Sequence, residues 1–344
     1  MKKINSQRHF ASDNYAPIHP EVLEALKAFN SGHQPAYGDD EVTQLAKVEF
    51  QKHFGDVEVE FVFNGTGANV LALRSLLQPQ ETVICSQHAH IHEDEGGAPE
   101  WNLGCKLVPI PTGTGKIHAQ QIEEALFQQP DNIHRVQSKV ISITQSTEYG
   151  TVYSSKELAE INKLCKRKAL YLHIDGARIA NAAVSLGKPL KEIVKGCDVL
   201  SFGGTKNGLM MGEALVFFNK SLHKNFQFYR KQNMQLASKM RFISAQFYAL
   251  LKNDLWKKNA SHSNKMARVL EKELKNLDFE ITQKVQANAV FVRLPLRLAN
   301  KVRKKFLFYD WQGPFKDKTV EARLMCSFDT TEEDITSFIQ LFKA

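Results

Sequence analysis

The sequence predicts an α/β protein: a mainly parallel sheet with helices on both faces, followed by a smaller α+β unit. Three observations carry this. From Val57 to Phe218 apolar strand-like runs alternate with amphipathic helical stretches, the pattern of βαβ folds. After residue 220 the chain reads helical to Leu274, then returns to strand and helix. Between the apolar runs Val199–Phe202 and Ala214–Phe218, a single lysine, Lys206, stands on a turn crowded with glycines.

In order, residues 1–19 read as an extended arm, and Pro20 opens a helix with Val22, Leu23, Leu26 and Phe29 at helical spacing. A turn-rich loop, Ser31–Asp40, leads to an amphipathic helix Val42–Phe54. Val57–Phe63 is a strand that runs into Asn64-Gly-Thr-Gly-Ala-Asn69, with a helix over Val70–Leu77. Strands follow at Thr82–Ser86, Lys106–Ile110, Lys139–Thr144 and Ala169–Ile174, with helices at Ala119–Phe127 and Ser155–Arg167. The tail offers strands at Phe279–Thr282, Ala289–Leu294 and Ala322–Cys326, and helices at Leu298–Lys305 and Glu332–Phe342. The expected division is an arm (1–19), a large domain (20–245) and a small domain with its linking helix (246–344).

Composition narrows the function classes. At 344 residues, 43% hydrophobic and 24% charged, the chain is an ordinary globular protein. Its net charge of +8 is spread rather than concentrated, which argues against nucleic acid and suits small anionic ligands. Five scattered cysteines without a CxxC favour a reducing compartment over a disulfide framework or a zinc ribbon. The basic N-terminus has no apolar core of a signal peptide, and no apolar run is long enough to span a bilayer. The expected location is the cytoplasm.

Four constellations carry chemistry. Gly65-Thr-Gly-Ala-Asn69 joins a strand to a helix; it reads as an anion site at a helix N-terminus or as a plain βα turn. His173-Ile-Asp-Gly-Ala-Arg178 puts Asp175 at the ligand-facing end of the sheet. There a carboxylate pairs with a cation, such as a pyridinium nitrogen, or with Arg178. His88-Ala-His-Ile-His92 reads as a metal pattern if it lies on a strand, as one histidine stacked on a cofactor ring, or as solvated loop residues. Lys206 reads as a surface group or as an amine desolvated beside a flat cofactor, with the glycines at 203, 204 and 208 leaving room for it.

Taken in order, these motifs resemble the fold-type I pyridoxal-phosphate enzymes, and within them the low-specificity L-threonine aldolases of the aromatic amino acid β-eliminating lyase group. The resemblance runs over most of the chain and includes Ser12-Asp13, Tyr37-Gly-Asp-Asp40, Glu95-Gly-Gly, Met240-Arg241, Asn288-Ala-Val-Phe and Arg323. It implies a seven-stranded large domain and pyridoxal 5'-phosphate bound through Lys206. Asp175 would pair with the ring nitrogen and His90 would stack on the ring. Gly65, Thr66 and Gly67 would hold the phosphate, with Arg241 from a neighbouring subunit. Ser12, Arg178 and Arg323 would hold the substrate carboxylate. The implied activity is cleavage of L-threonine, L-allo-threonine or a related β-hydroxy-α-amino acid to glycine and an aldehyde, through an external aldimine and a glycine quinonoid, with His90 or a water it orders as base. The implied assembly is a homotetramer, or at least a homodimer with shared sites. The rivals are β-elimination by the same cofactor and a metal-dependent hydrolase built on His88, His90 and His92.

One segment departs from the pattern. Many family members carry a second histidine in an Asn-Thr-His-Asn-like segment, where this chain reads Thr144-Gln-Ser-Thr-Glu-Tyr-Gly150. The run His92-Glu-Asp-Glu95 is the candidate for the missing polar contact, and the preferred aldehyde and the threo/erythro preference stay open.

Overall fold

Seven runs of β-branched and aromatic residues pair into one sheet. They are β1 (Glu58–Val62), β2 (Glu81–Ser86), β3 (Lys106–Ile110), β4 (Gln137–Thr144), β5 (Tyr171–Gly176), β6 (Val199–Gly203) and β7 (Glu213–Phe217). Their spatial order is β1-β7-β6-β5-β4-β2-β3. The computed structural model describes residues 7–127 and 133–343; the first six residues of the expected arm lie outside these. The strands β3, β2, β4, β5 and β6 are parallel, and β7 runs antiparallel between β6 and β1. The ends of β1, β4, β5 and β6 that carry the motifs therefore share one edge of the sheet.

Both faces are covered, as a parallel sheet requires. Neighbouring residues on one strand enter opposite cores: Ile141 and Val216 join one apolar cluster, Val140 and Leu215 the other. That is the period-two alternation of a strand.

The second sheet is small and antiparallel, with β8 (Ala289–Pro295), β9 (Tyr309–Gln312) and β10 (Thr319–Met325) in the order β8-β10-β9. Its core includes Val290, Val292, Leu324 and Phe338, together with Phe10 of the arm. The arm is tied to this sheet by Phe10 N–H to Leu307 O at 3.0 Å and Met325 N–H to Phe10 O at 2.8 Å. The 21-residue helix Leu255–Lys275 links the two units. Its Leu255, Trp256 and Ala260 pack on the large core, and its Met266, Leu270 and Leu274 on the small one.

Four local expectations change. The helix after β1 begins at Gly65, not Val70, because Asn64 caps it by accepting from Gly67 N–H at 2.8 Å. Asp175 lies inside β5 rather than beyond its end. Phe279–Thr282 is no strand; it makes one bridge, Ile281 to Val292. The edge strand β9 is mostly exposed, so it carries no alternating signal.

Candidate active site

At the shared edge of the large sheet lies a cleft of about 380 Å³, lined among others by Gly65, Thr66, Asn69, His90, Glu148, Asp175, Arg178 and Lys206. Strand periodicity builds its floor. His173 and Asp175 point to the same face of β5. His173 is fully buried between the hydroxyls of Ser142 (2.9 Å) and Ser201 (3.0 Å) on the flanking strands. Burial holds its imidazole down to about 4, so it is a neutral clamp across β4, β5 and β6. Two residues on, Asp175 accepts from Asn69 Nδ2 at 2.8 Å and from Ala177 N–H at 2.9 Å. Burial pushes its carboxyl up, but His90, the Ala177 N–H, Lys206 and Asn69 together bring it below its usual value. Asp175 is thus kept ionised.

Lys206 sits on a single 3-10 turn, Thr205–Asn207, closed by Gly208 at φ +102°. Burial and the Arg178 guanidinium lower its pKa, which makes the amine available as a nucleophile. The glycines around it answer to the protein rather than to a ligand. A Cβ on Gly203 would stand 2.3 Å from the Ala177 carbonyl oxygen, and one on Gly204 2.4 Å from Leu209. The expectation that they clear space for a cofactor is corrected accordingly. Gly67 is likewise not a free donor: its N–H is spent on Asn64, and its missing side chain makes room for Gln235. The turn's open N–H groups are those of Gly65 and Thr66, which line the cleft at the start of a 12-residue helix.

His90 begins a one-turn helix, His90–Glu93, so the three histidines do not alternate on a strand. Each turns to its own acceptor: His88 Nε2 lies 3.1 Å from Thr112 O, His90 Nδ1 3.0 Å from Glu95 Oε1, and His92 Nδ1 2.9 Å from Gln87 O. Among the described residues no group of three or more His, Cys, Asp or Glu is placed to hold a metal ion. Of the run 92–95, Glu95 reaches the site from behind His90, and the Asp94 charge is felt at Arg323. The bond to Glu95 raises the His90 pKa against the effect of burial, while burial lifts the Glu95 carboxyl as well.

Arg178 caps the helix Ile179–Leu186 and is held by two bonds to Asp13, Nε to Oδ2 at 2.7 Å and Nη2 to Oδ1 at 2.9 Å. Asp13 in turn accepts from Asn288 Nδ2 at 3.0 Å. Arg323 lies over the Trp311 ring at 4.7 Å, and its Nε has no partner. Burial and the nearby Arg178 hold its pKa down to about 10. Ser12 does not line the cleft; its hydroxyl caps the turn Asp13–Tyr15, and Asn14 is the lining residue. Arg241 is also outside the cleft, with Nη1 bound to Ser31 O and Gly32 O.

Two acidic residues at the site were not singled out from the sequence. Glu213 accepts from Gly204 N–H at 2.7 Å beside Lys206, and burial pushes its carboxyl up to about 7. Glu148 accepts from His90 N–H at 2.9 Å and from Thr144 Oγ1 at 2.8 Å. A signal for Glu148 existed: it stands in the segment Thr144–Gly150 that departs from the family's pattern.

The donor set fits a phosphorylated pyridine aldehyde: free N–H groups at a helix start, an ionised buried carboxylate, and a desolvated lysine. Asn69 Oδ1, Glu95 Oε2 and Glu148 Oε2 are buried here without partners, the sign of a site built to meet a polar ligand.

Comparison with known proteins agrees. The beta-eliminating lyase family matches residues 9–296. A low-specificity L-threonine aldolase of a Pseudomonas species is 43% identical over 95% of both chains, and one of Escherichia coli is 29% identical over 79% of this chain and 80% of its own. The structure of the threonine aldolase of Leishmania major superposes with a TM-score of 0.93 at 33% identity, covering 97% of this chain and 98% of that one. The chain belongs to the beta-eliminating lyase family, on its branch of low-specificity L-threonine aldolases.

Proposed function

We propose that this chain is a pyridoxal-phosphate-dependent aldolase that cleaves L-threonine, L-allo-threonine or a related β-hydroxy-α-amino acid to glycine and an aldehyde. The observation that carries this is a partly buried lysine of lowered pKa in one cleft with an ionised, buried Asp175. When bound, pyridoxal phosphate supplies an electron sink for the bond that breaks at Cα.

The chain's residues do the rest. Lys206 is the attachment point, Asp175 holds the ring nitrogen protonated, and His90 faces the ring. Gly65 and Thr66 hold the phosphate with their N–H groups, and Gly67 keeps the turn tight. Arg178 and Arg323 hold the substrate carboxylate. The Arg178 guanidinium depresses Arg323, Asp13 already offsets both, and a substrate carboxylate would be a second anion for the pair. Fixing that carboxylate selects which bond at Cα is cleaved. Ser12 supports this end of the site through the turn it caps.

A homotetramer, or at least a dimer with shared sites, is proposed from the cleft's open side. Met211 both lines the cleft and is 42% exposed, and Met210 beside it is 49% exposed. Arg241 would reach the phosphate of the neighbouring site from there. The division into arm, large and small domains is supported by the separate cores and the linking helix. A cytoplasmic location is supported by five buried, unpaired cysteines; no helix among the described residues is long and apolar enough to cross a membrane.

The test is spectroscopic and chemical. Purified protein with pyridoxal phosphate should show a visible band that borohydride bleaches and that Lys206→Ala removes. Threonine should yield glycine and acetaldehyde in equal amounts. Ammonia and a keto acid instead would assign β-elimination, and a colourless protein indifferent to Lys206→Ala would end the reading.

A further inference from the structure

Two acidic groups of the cleft, Glu148 and Glu213, are left unused by the roles above, and Glu213 is already engaged by the Gly204 N–H beside Lys206. Glu148 lies on the segment that turns back after β4, and its carboxyl enters the cleft between His90 and Arg178. The two oxygens differ. Oε1 is occupied twice, by His90 N–H at 2.9 Å and Thr144 Oγ1 at 2.8 Å. Oε2 is shielded from water and has no hydrogen-bond partner. A buried polar atom without a partner is costly, so Oε2 is placed to accept from a ligand's donor.

That donor has a definable chemistry. A ligand group that meets a carboxyl here must offer an O–H or N–H. The α-amine of the substrate is committed toward Lys206, and its carboxylate toward Arg178 and Arg323. The hydroxyl on Cβ remains. His90 is assigned above to the ring and is engaged at Nδ1 with Glu95 Oε1, 3.0 Å away. We infer that Glu148 is a further catalytic residue, whose free Oε2 takes the proton of the substrate's β-hydroxyl. This rests on the aldolase reading.

The step balances. The O–H bond breaks and its proton passes to Oε2. The oxygen's electrons form the carbonyl of the aldehyde, the Cα–Cβ bond breaks, and its electron pair stays with Cα. Glu148 ends as the neutral acid. The surroundings suit both forms. Burial pushes the carboxyl up to about 7, with its own backbone N–H opposing the rise, Asp175 adding to it, and the Thr144 hydroxyl and His90 N–H opposing it further. Arg178, whose own pKa is raised in part by Glu148, faces it from the β5 side. Tyr149, Tyr153 and Cys85 also feel its charge; all three have raised pKa values and stay neutral around pH 7. A base whose pKa lies near the working pH is the efficient choice for proton transfer.

The test separates this role from a structural one. Glu148→Gln retains an oxygen for the His90 and Thr144 bonds and cannot take a proton. Its kcat on threonine should fall by about 100-fold or more. Glycine lacks the hydroxyl, so its dissociation constant, read from the spectral change it causes, should stay within about threefold of wild type. Infrared titration of wild type should show protonated carboxyl absorption that disappears around pH 7, and Glu148→Gln should lose the Glu148 share of it while that of Glu213 remains. Glu148→His, which restores a base, should cleave at least about tenfold faster than Glu148→Gln. Cleavage within about threefold of wild type in Glu148→Gln, or glycine binding lost in parallel with cleavage, overturns the role. If Glu148→Gln does not fold, Glu148→Asp decides: unchanged kcat and pH profile overturn it, and a lower kcat with a shifted inflection supports it. A wild-type chain that cleaves nothing overturns the aldolase reading itself; one that cleaves beside an equally active Glu148→Gln overturns Glu148 alone.

Discussion

Asp13→Ala is the sharpest probe of how the arm builds the site. In the folded chain Asp13 makes both bonds to Arg178, at 2.7 and 2.9 Å, with its side chain 1% exposed. Removing one partner of a buried pair costs about 3–5 kcal/mol, because a charge stays behind uncompensated. Arg178 still faces Glu148 and Asp175, whose fields also raise its pKa, so the lower end, about 3 kcal/mol, applies. Asn288 loses one acceptor and retains Cys326 O at 2.8 Å, a minor addition. Equilibrium urea unfolding should show the loss. The loosened guanidinium should also raise KM for threonine by about tenfold or more, with a smaller change in kcat. Asp13→Asn, which retains one acceptor, should fall between. A stability change below about 1 kcal/mol with an unchanged KM would refute the claim that Asp13 holds Arg178 in place for the substrate.

Two further outcomes follow from the packing. Glu60 sits on β1, bonded to Arg230 at 2.6 Å, His223 at 3.0 Å and Lys47 at 3.3 Å. Burial pushes its carboxyl up, but these cations bring it from 4.5 down to about 2. A carboxyl depressed in the folded state stabilises above its unfolded value, so about 3 kcal/mol should be lost as pH falls from about 4.5 to about 2. Urea midpoints across that window should drop in wild type and stay flatter in Glu60→Gln; parallel curves would count against it. Gly203→Ala places a methyl against the Ala177 carbonyl oxygen, a backbone atom that cannot step aside. It should cost about 1–3 kcal/mol and weaken cofactor binding, and an unchanged melting temperature and visible band would contradict the packing argument.

The large sheet was legible because its strands are buried on both faces and read as continuous apolar runs. Lys206, Asp175 and Arg178 were legible because polar residues at the ends of such runs have few other reasons to be there. What the sequence hid depends on three-dimensional partners. Asn64 and Gln235 decide what Gly67 does, and neither pairing follows from local pattern. His-x-His-x-His looks the same on a strand as across a turn and the start of a helix, and here His88 lies on the turn while His90 and His92 lie on the helix. Glu148 was hidden by type: a search for a second histidine passes over a carboxylate that burial has brought to the same working range. β9 was hidden because an exposed edge strand has no buried face to alternate.

The antiparallel β7 has a consequence for how such an enzyme can change. It lies between β1, which delivers the Gly65 turn, and β6, which delivers Lys206. Two inter-strand steps of about 4.8 Å therefore set the span between the phosphate end and the amine end of the site, roughly 10 Å. That ruler is graduated in backbone hydrogen bonds, so no side-chain replacement can lengthen or shorten it. The residues proposed above to meet or position the substrate stand on a different support, the turn after β4 and the arm, where Glu148 and Asp13 sit. The two can drift independently: new substrates can be explored by exchanging residues on the turn while the cofactor's berth stays at constant length.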